Sequence, residues 1–215
     1  FSLEMSKTQI MDRLLGMQSG IPFWEIRTGR LSDKKFVKLA DTMGELADAN
    51  IFIDDQAGQH INALRTKARR LAIERGVDII FADYLQLMRG NSKESRTLEV
   101  GEISQGLKNI AKELDIPVVG ISQLSRAVEQ RQSRRPQLSD LRESGSIEQD
   151  ADVILCPFRP YVYMPDAQKN LLSQIERDIA EREAWFVIAK NRNGITGDLR
   201  VVWIGEHYLF LETHE

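Results

Sequence analysis

The sequence predicts an α/β protein with a mostly parallel, twisted sheet flanked by helices, and with a C-terminal antiparallel hairpin. Short apolar runs, at residues 77–82, 116–122, 153–157 and 184–189, have the length and composition of buried strands. A pattern with helical spacing lies between the first two of these runs, and alternation of strand and helix favours parallel pairing. The first run ends in IIFA and is expected to be buried on both faces of the sheet.

The segments before the first of these runs are predicted to be largely helical. Ser6 and Gln9 form a capping-box pattern that starts a helix reaching about residue 18, and residues 21–30 form a connection with one short helical turn. Apolar residues recur with helical spacing over residues 32–48. The remaining elements of this half are a short strand at residues 51–53 and a basic helix at residues 61–75, closed by Gly76.

The second half combines strands with one long helix and a charged insertion. A helix is predicted at residues 98–114, and a polar helical turn and loop at residues 125–135. The charged segment 165–182 is expected to form a helical insertion between two strands. Residues 199–204 and 208–212 are predicted to form a final antiparallel hairpin.

The bulk composition excludes several classes of protein. The chain has 215 residues, 42% hydrophobic and 28% charged, which suits one well-packed domain or two small ones. Its net charge of −3 gives no global sign of nucleic-acid binding, although five arginines cluster in residues 123–142. Cys156 is the only cysteine, which excludes an internal disulfide and favours a reducing compartment. No apolar run is long enough to span a membrane, so we predict a cytoplasmic protein.

Two acidic residues follow predicted strands. Asp83 ends the run IIFAD, and Glu4 follows the apolar start FSL. A carboxylate fixed at a strand end can hold Mg²⁺ and, through it, nucleotide phosphates. Taken alone, Asp83 could simply cap the next loop, and Glu4 could be a solvated surface acid.

Polar and basic residues follow two further strands. Gln123 comes after VVGIS, and its uncharged amide could bond a phosphate or merely cap a loop. Lys190 and Arg192 occur in AKNRNG, where basic groups could stabilise charge on a phosphate or simply be solvated.

Between these segments lies the run DLRESGSIEQDAD, residues 140–152. Arg142 can pair with a nucleic-acid phosphate, and Gly145 lets a backbone N–H approach one closely. Few aromatic residues lie nearby, which favours contact with the phosphate backbone over base stacking. An ordinary capped turn is the alternative interpretation of the same residues.

Together, DYLQLM (residues 83–88), SQLSR (122–126), DLRESGSIEQDAD and AKNRNG closely resemble the C-terminal RecA-like motor domain of the DnaB-type replicative DNA helicases. The resemblance spans nearly the whole chain, with the motifs in matching order. It implies ATP and Mg²⁺ as cofactors, with Asp83 holding the metal, Glu4 as general base and Gln123 as γ-phosphate sensor. It also implies that Lys190 and Arg192 enter the ATP site of a neighbouring subunit. The expected contacts to single-stranded DNA are Arg126, Arg142, Glu143 and Gly145.

The resemblance carries further expectations about partners and polarity. It implies a homo-oligomeric, hexameric ring that moves 5′ to 3′ on single-stranded DNA, with primase and a helicase loader as partners of the full-length protein. No GxxxxGK[ST] phosphate loop occurs in the sequence, so residues 1–215 are expected to be a truncated motor domain that is inactive by itself. The alternatives are another RecA-like ATPase, or a non-catalytic DNA-binding or ring-completing protein that has lost this loop.

Overall fold

The helices and strands of the chain divide between two units of packed residues. In this computed structural model, residues 1–92, 94–131 and 133–213 are described, and residues 142–144 are described without their side chains. The first unit comprises residues 1–6, 53–156 and 188–196. The second comprises residues 7–52, 157–187 and 197–215.

The elements follow one another along the chain in mixed order. The helices are α1 (Lys7–Ser19), α2 (Phe23–Thr28), α3 (Asp33–Asp48), α4 (Ile61–Arg75), α5 (Arg96–Leu114), α6 (Ala127–Gln130), α7 (Gly145–Asp150), α8 (Pro160–Tyr163), α9 (Asp166–Lys169) and α10 (Gln174–Arg182). The strands are β1 (Ile80–Ala82), β2 (Val118–Gly120), β3 (Val153–Phe158), β4 (Glu183–Asn191), β5 (Gly197–Ile204) and β6 (Leu209–Glu212). Short 3-10 turns occur at Leu85–Leu87, Leu138–Ser144 and Gly205–His207.

The first unit is built on a parallel pair of strands. Strands β1 and β2 pair in parallel, with Ala82 facing Gly120, and residues 1–3 run parallel to β1 through a bridge between Ser2 and Asp83. Helix α5 packs on β2 and against α4 and α7, and its residue Ile103 is completely buried. The predicted parallel α/β arrangement is therefore confirmed in this unit.

The expectation that the first strand is buried on both faces is wrong. Ile80 and Ala82 are 5% and 0% exposed, whereas their neighbours Ile79 and Phe81 are 44% and 52% exposed. Successive side chains of a strand point to opposite faces, and α5 packs on the neighbouring strand β2. The apolar run shows that residues on both faces of the strand are hydrophobic. It does not show whether other elements of the chain pack on both faces.

The predicted strand at residues 51–53 is also not formed, because this segment has no ladder of strand hydrogen bonds. The adjoining residue Asp54 nevertheless accepts a hydrogen bond on its main-chain oxygen from the Ser2 N–H, at 2.8 Å. This one main-chain hydrogen bond is the described pairing between the segment ending at Asp54 and residues 1–3. Strands β1 and β2 are likewise shorter than the apolar runs that predicted them.

The second unit contains helices α1 to α3 and the C-terminal hairpin. Strands β5 and β6 pair antiparallel, with Trp203 opposite Phe210, which confirms the predicted hairpin. The rings of Trp203 and Phe210 pack with their centroids 4.6 Å apart, and Tyr208 meets Phe23 edge to face at 5.4 Å. The sheet order is β3-β4-β5-β6, and β3 and β4 have residues in both units.

The predicted charged insertion is helical, as expected. Helix α10 begins with a capping box in which the Ser173 side chain accepts the Glu176 N–H and the Glu176 carboxylate accepts the Ser173 N–H. In the described part of the chain, none of the helices combines the length and the apolar character that crossing a bilayer needs.

Candidate functional site

The two predicted carboxylates leave the sheet side by side. The Asp83 N–H donates to the Phe1 carbonyl at 2.9 Å, and the Leu3 N–H donates to the Asp83 carbonyl at 2.7 Å. Because residues 1–3 and β1 are parallel, Glu4 and Asp83 follow their strands at the same edge. Glu4 is exposed and Asp83 is half-buried. This is the carboxyl edge, where open α/β sheets bind their ligands.

Asp83 has the donor chemistry that a hard divalent cation requires. Within the described residues its carboxylate accepts no hydrogen bond, so its oxygens are not committed to the fold. No group of three or more His, Cys, Asp or Glu side chains in the described part of the chain is arranged to hold a metal. Mg²⁺ in nucleotide sites commonly has only one or two carboxylate ligands, with phosphates and waters completing the shell, and Asp83 fits that arrangement.

A third carboxylate near this edge, Asp54, is used internally. Its side chain accepts hydrogen bonds from Lys67 at 2.6 Å and from Gln59 at 3.2 Å. Burial opposes ionisation of Asp54, but hydrogen bonds from Lys67, Gln56 and Gln59 outweigh it and hold its pKa below the ordinary value. Asp54 therefore remains a carboxylate that anchors α4 to the segment beside residues 1–3.

Gln123 lies at the same edge of the sheet, one strand further on. Strand β2 pairs in parallel with β1, and Gln123 comes three residues after the last paired residue, Gly120. Its side chain is exposed, while its main chain is bonded to the side chain of Gln86. Glu4, Asp83 and Gln123 therefore all leave adjacent parallel segments at one edge.

Lys190 and Arg192 lie at the C-terminal end of α7. The Lys190 ammonium donates to the Glu148 carbonyl at 2.5 Å, and the Arg192 guanidinium donates to the Gln149 carbonyl at 3.0 Å. These are carbonyls of the last helical turn, which have no partner within the helix and favour a nearby cation. No contact among the described side chains joins this pair to Glu4, Asp83 or Gln123.

Asp152 neutralises the same cluster of cations. It forms ion pairs with Lys108 and, at 2.7 Å, with Arg192. The hydrogen bond from Lys108, together with the positive charges of Lys108, Arg192 and Lys190, holds the pKa of Asp152 below its usual range. The three cations and this carboxylate join α5, α7 and the end of β4.

The expected DNA-contacting residues are only partly within the described side chains. Arg142 and Glu143 lie outside them. Gly145 is exposed at the start of α7 with a φ of −50°, and no atom lies within 4 Å of the place where a Cβ would be. Arg126 is exposed at the start of α6. Neither backbone conformation nor packing explains why position 145 is glycine.

One arginine of the basic cluster is committed to the fold. Arg131 forms an ion pair with the buried Asp140 and donates to the Gln137 side chain at 2.6 Å. Asp140 also accepts the Gln137 N–H at 2.7 Å, which closes a capping box at the Leu138–Ser144 turn. Arg131 thus fixes the start of the Leu138–Ser144 turn, which leads to Gly145.

The geometry can be compared with known protein families. The family model described as the DnaB-like helicase C terminal domain matches residues 1–212. The chain belongs to this family. The predicted resemblance is thereby confirmed, and so is the fold class, since the solved ATPase domain described below superposes closely on the chain.

Curated DnaB-family relatives come from several bacteria. The chain is 44% identical over 213 residues to the replicative DNA helicase DnaB of Geobacillus stearothermophilus, covering 98% of this chain and 44% of the relative. It is 42% identical to the replicative DNA helicase DnaC of Bacillus subtilis, with the same coverage of 98% and 44%. The chain therefore spans less than half the length of these curated relatives.

Solved structures resemble the chain over almost all of its residues. One solved ATPase domain superposes on the chain with a TM-score of 0.86 at 37% identity, covering 99% of this chain and 73% of that one. A DnaB-like replicative helicase, solved to describe its interactions with primase, gives a TM-score of 0.85 at 37% identity, covering 99% and 51%.

Proposed function

We propose that this chain is the motor domain of an ATP-dependent replicative DNA helicase, which moves 5′ to 3′ on single-stranded DNA and separates the duplex at the replication fork. One observation carries the proposal: Glu4, Asp83 and Gln123 leave adjacent parallel segments at one edge of the sheet. A general base, a metal ligand and a phosphate sensor have to surround one nucleotide, and a common edge is what this requires.

Each of the three residues has its own role in this proposal. Asp83 would hold Mg²⁺, and the ion would supply positive charge to neutralise the phosphates of bound ATP. Glu4 is exposed and orients and deprotonates the attacking water. Gln123 donates from its side-chain amide to the γ-phosphate and loses this bond after hydrolysis.

The remaining proposed residues act between subunits and on DNA. Lys190 and Arg192 reach the ATP site of a neighbouring subunit in a hexameric homo-oligomer. In their own chain, no contact among the described side chains joins them to Glu4 or Asp83, which agrees with this role. Arg126, Arg142, Glu143 and Gly145 track the phosphate backbone of single-stranded DNA, so we expect little sequence preference. We propose primase and a helicase loader as partners of the complete protein, and the cytoplasm as its location.

The test compares carboxylate variants of the complete protein. Glu4→Gln should lower the kcat of ATP hydrolysis by about 10²- to 10⁴-fold, the usual contribution of a general base, with little change in ATP affinity. Asp83→Asn should raise the Mg²⁺ concentration needed for nucleotide binding. Glu74→Gln is the matched control, because Glu74 lies on α4 and pairs only with Arg70 in the described structure.

The outcomes separate the proposed roles. Parental turnover in Glu4→Gln would remove Glu4 from the chemistry. An unchanged Mg²⁺ requirement in Asp83→Asn would remove Asp83 from the metal site. Binding of single-stranded DNA by a parent protein that hydrolyses no ATP would favour a non-catalytic DNA-binding function.

A further inference from the structure

The turn after Asp83 places one polar side chain between two core residues. In the 3-10 turn Leu85–Leu87 and the residue after it, Leu85 is 3% and Met88 is 1% exposed. Gln86 lies between them and is half-buried. Its side chain is directed to the end of β2 and not to the core. The sequence alone gives no signal for this contact, because Gln86 stands between the apolar residues Leu85 and Leu87.

Gln86 takes over the pairing where the two strands separate. Main-chain pairing of the two strands ends with the Leu85 N–H donating to the Ile121 carbonyl at 2.9 Å. Beyond it, the Gln86 side-chain oxygen accepts the Gln123 N–H at 3.2 Å, and its NH₂ donates to the Gln123 carbonyl at 3.3 Å. The same NH₂ donates to the Ser122 hydroxyl at 2.9 Å.

The carboxamide of Gln86 bonds Gln123 as the main chain of a paired strand would. A carboxamide presents one acceptor and one donor side by side, which are the groups that a facing strand residue offers to its partner. Gln86 therefore holds both the N–H and the carbonyl of Gln123. With both groups fixed, the φ and ψ angles of Gln123 are fixed too, and so is the direction in which its side chain leaves the sheet.

The turn that carries Gln86 is held from its other side. The Arg96 guanidinium donates to the main-chain carbonyl of Gln86 and to that of Met88, the latter at 3.4 Å. Arg96 is the first residue of α5 and also pairs with Glu99. The carboxamide of Gln86 is thus supported by a helix that packs against α7, the helix of the proposed DNA loop.

We propose that Gln86 is a positioning residue for Gln123, holding its main chain so that its side-chain amide meets the nucleotide phosphate. The inference rests on the proposed sensor role of Gln123. Only a carboxamide of this length meets the requirement, because an ionised Glu lacks the donor, Asn is one methylene shorter, and Met has no donor and only a weak sulfur acceptor.

The experiment measures steady-state ATP hydrolysis by the complete protein with saturating poly-dT. Gln86→Met preserves the side-chain length and removes the hydrogen bonds, and it should lower kcat by about 5- to 10-fold, as expected for the loss of roughly one net hydrogen bond. KM for ATP should stay within about 2-fold, because substrate binding is not the step affected. Gln105→Met is the matched control, since Gln105 is an exposed glutamine of α5 that bonds only Asn109 in the described structure.

A second variant guards against a purely structural defect. Gln86→Glu keeps the acceptor for the Gln123 N–H and should be as slow as Gln86→Met at about pH 8. Near pH 5 a growing fraction of the new carboxyl is protonated and can donate again. The rate relative to the parent should therefore rise as the pH falls in Gln86→Glu and stay flat in Gln86→Met, which loss of folding would not produce.

A double-variant cycle separates this inference from the function it rests on. If Gln86 acts through Gln123, then Gln86→Met should slow the Gln123→Ala protein no further. Two results would overturn the inference and leave the sensor role intact. One is a double variant whose loss of kcat is the product of the two single losses. The other is a kcat of Gln86→Met within about 2-fold of the parent when Gln123→Ala is slow. Parental kcat in Gln123→Ala would overturn the sensor role, and the inference with it.

Discussion

Helix α7 should loosen when either of its two capping cations is removed. Lys190 donates one hydrogen bond to the Glu148 carbonyl and Arg192 donates one to the Gln149 carbonyl, at 2.5 and 3.0 Å. Both hydrogen bonds are exposed to solvent, and the Arg192 side chain is 48% exposed. We therefore expect each bond to stabilise the helix end by about 0.5–1 kcal/mol, the low end of the range for a hydrogen bond in a protein. That range corresponds to about 2- to 5-fold faster opening of the last turn for Lys190→Met or Arg192→Met.

Hydrogen exchange followed by mass spectrometry is the suitable assay. The amides to follow are those of residues 149–151, among them the Ala151 N–H that donates to the Ile147 carbonyl at 3.0 Å. Arg70→Met is the control, because Arg70 is an exposed arginine that pairs with Glu74 on α4. Unchanged exchange in both α7 variants would refute the reasoning, as would an equal acceleration in the control.

Two further predictions concern the DNA loop and the acid sensitivity of the fold. Gly145→Ala should leave the melting temperature equal or slightly higher, because the added Cβ meets no atom within 4 Å and alanine favours helix. It should still weaken binding of single-stranded DNA, measured by a fluorescence titration. Gly44→Ala on α3 is the control, because its added Cβ also meets no atom within 4 Å, and it should bind DNA like the parent. If Gly145→Ala bound DNA as tightly as the parent, the Gly145 backbone would not be part of the interface. Because Asp54 has a lowered pKa, its stabilising effect is present above the unfolded-state pKa and is lost as the pH falls through the folded-state value. Urea titrations from about pH 6 to about pH 2.5 should therefore show a shallower loss of stability in Asp54→Asn, and parallel curves would contradict this.

How far the fold could be predicted depends on the range of the contacts involved. Helices α3 and α4 and the final hairpin rest on local periodicity and turn residues, and their predicted bounds agree closely with the structure. The exposure of Phe81 could not be predicted. Its hydrophobicity shows that the side chain is suited to burial, but not whether another element packs on that face of the sheet. The segment at residues 51–53 has strand composition but no continuous ladder to join.

The candidate site shows the same division. Strand-end positions placed Asp83 and Gln123 at one edge, because parallel strands necessarily share their carboxyl ends. The contact between Lys190 and Glu148 joins residues 42 positions apart, and no local pattern in the sequence could predict it. The commitment of Arg131 to the buried Asp140 was equally invisible, since a run of arginines looks alike whether its members are solvated or paired.

The proposed role of Lys190 and Arg192 in a neighbouring subunit competes with the contacts they make in this structure. A cation that moves away to neutralise a phosphate in the next ATP site would leave the last carbonyls of α7 without their present donors. If the pair moves to the nucleotide, α7 loses two capping bonds and Asp152 loses its ion pair with Arg192. The Lys108–Asp152 ion pair and the 2.7 Å bond between Ser104 and Asp150 still tie the helix to α5. Helix α7 begins at Gly145, inside the proposed DNA loop. Occupancy of one subunit's nucleotide site would therefore change the anchoring of the DNA loop in the subunit that supplies the cations, which is the direction of coupling that movement along a strand requires.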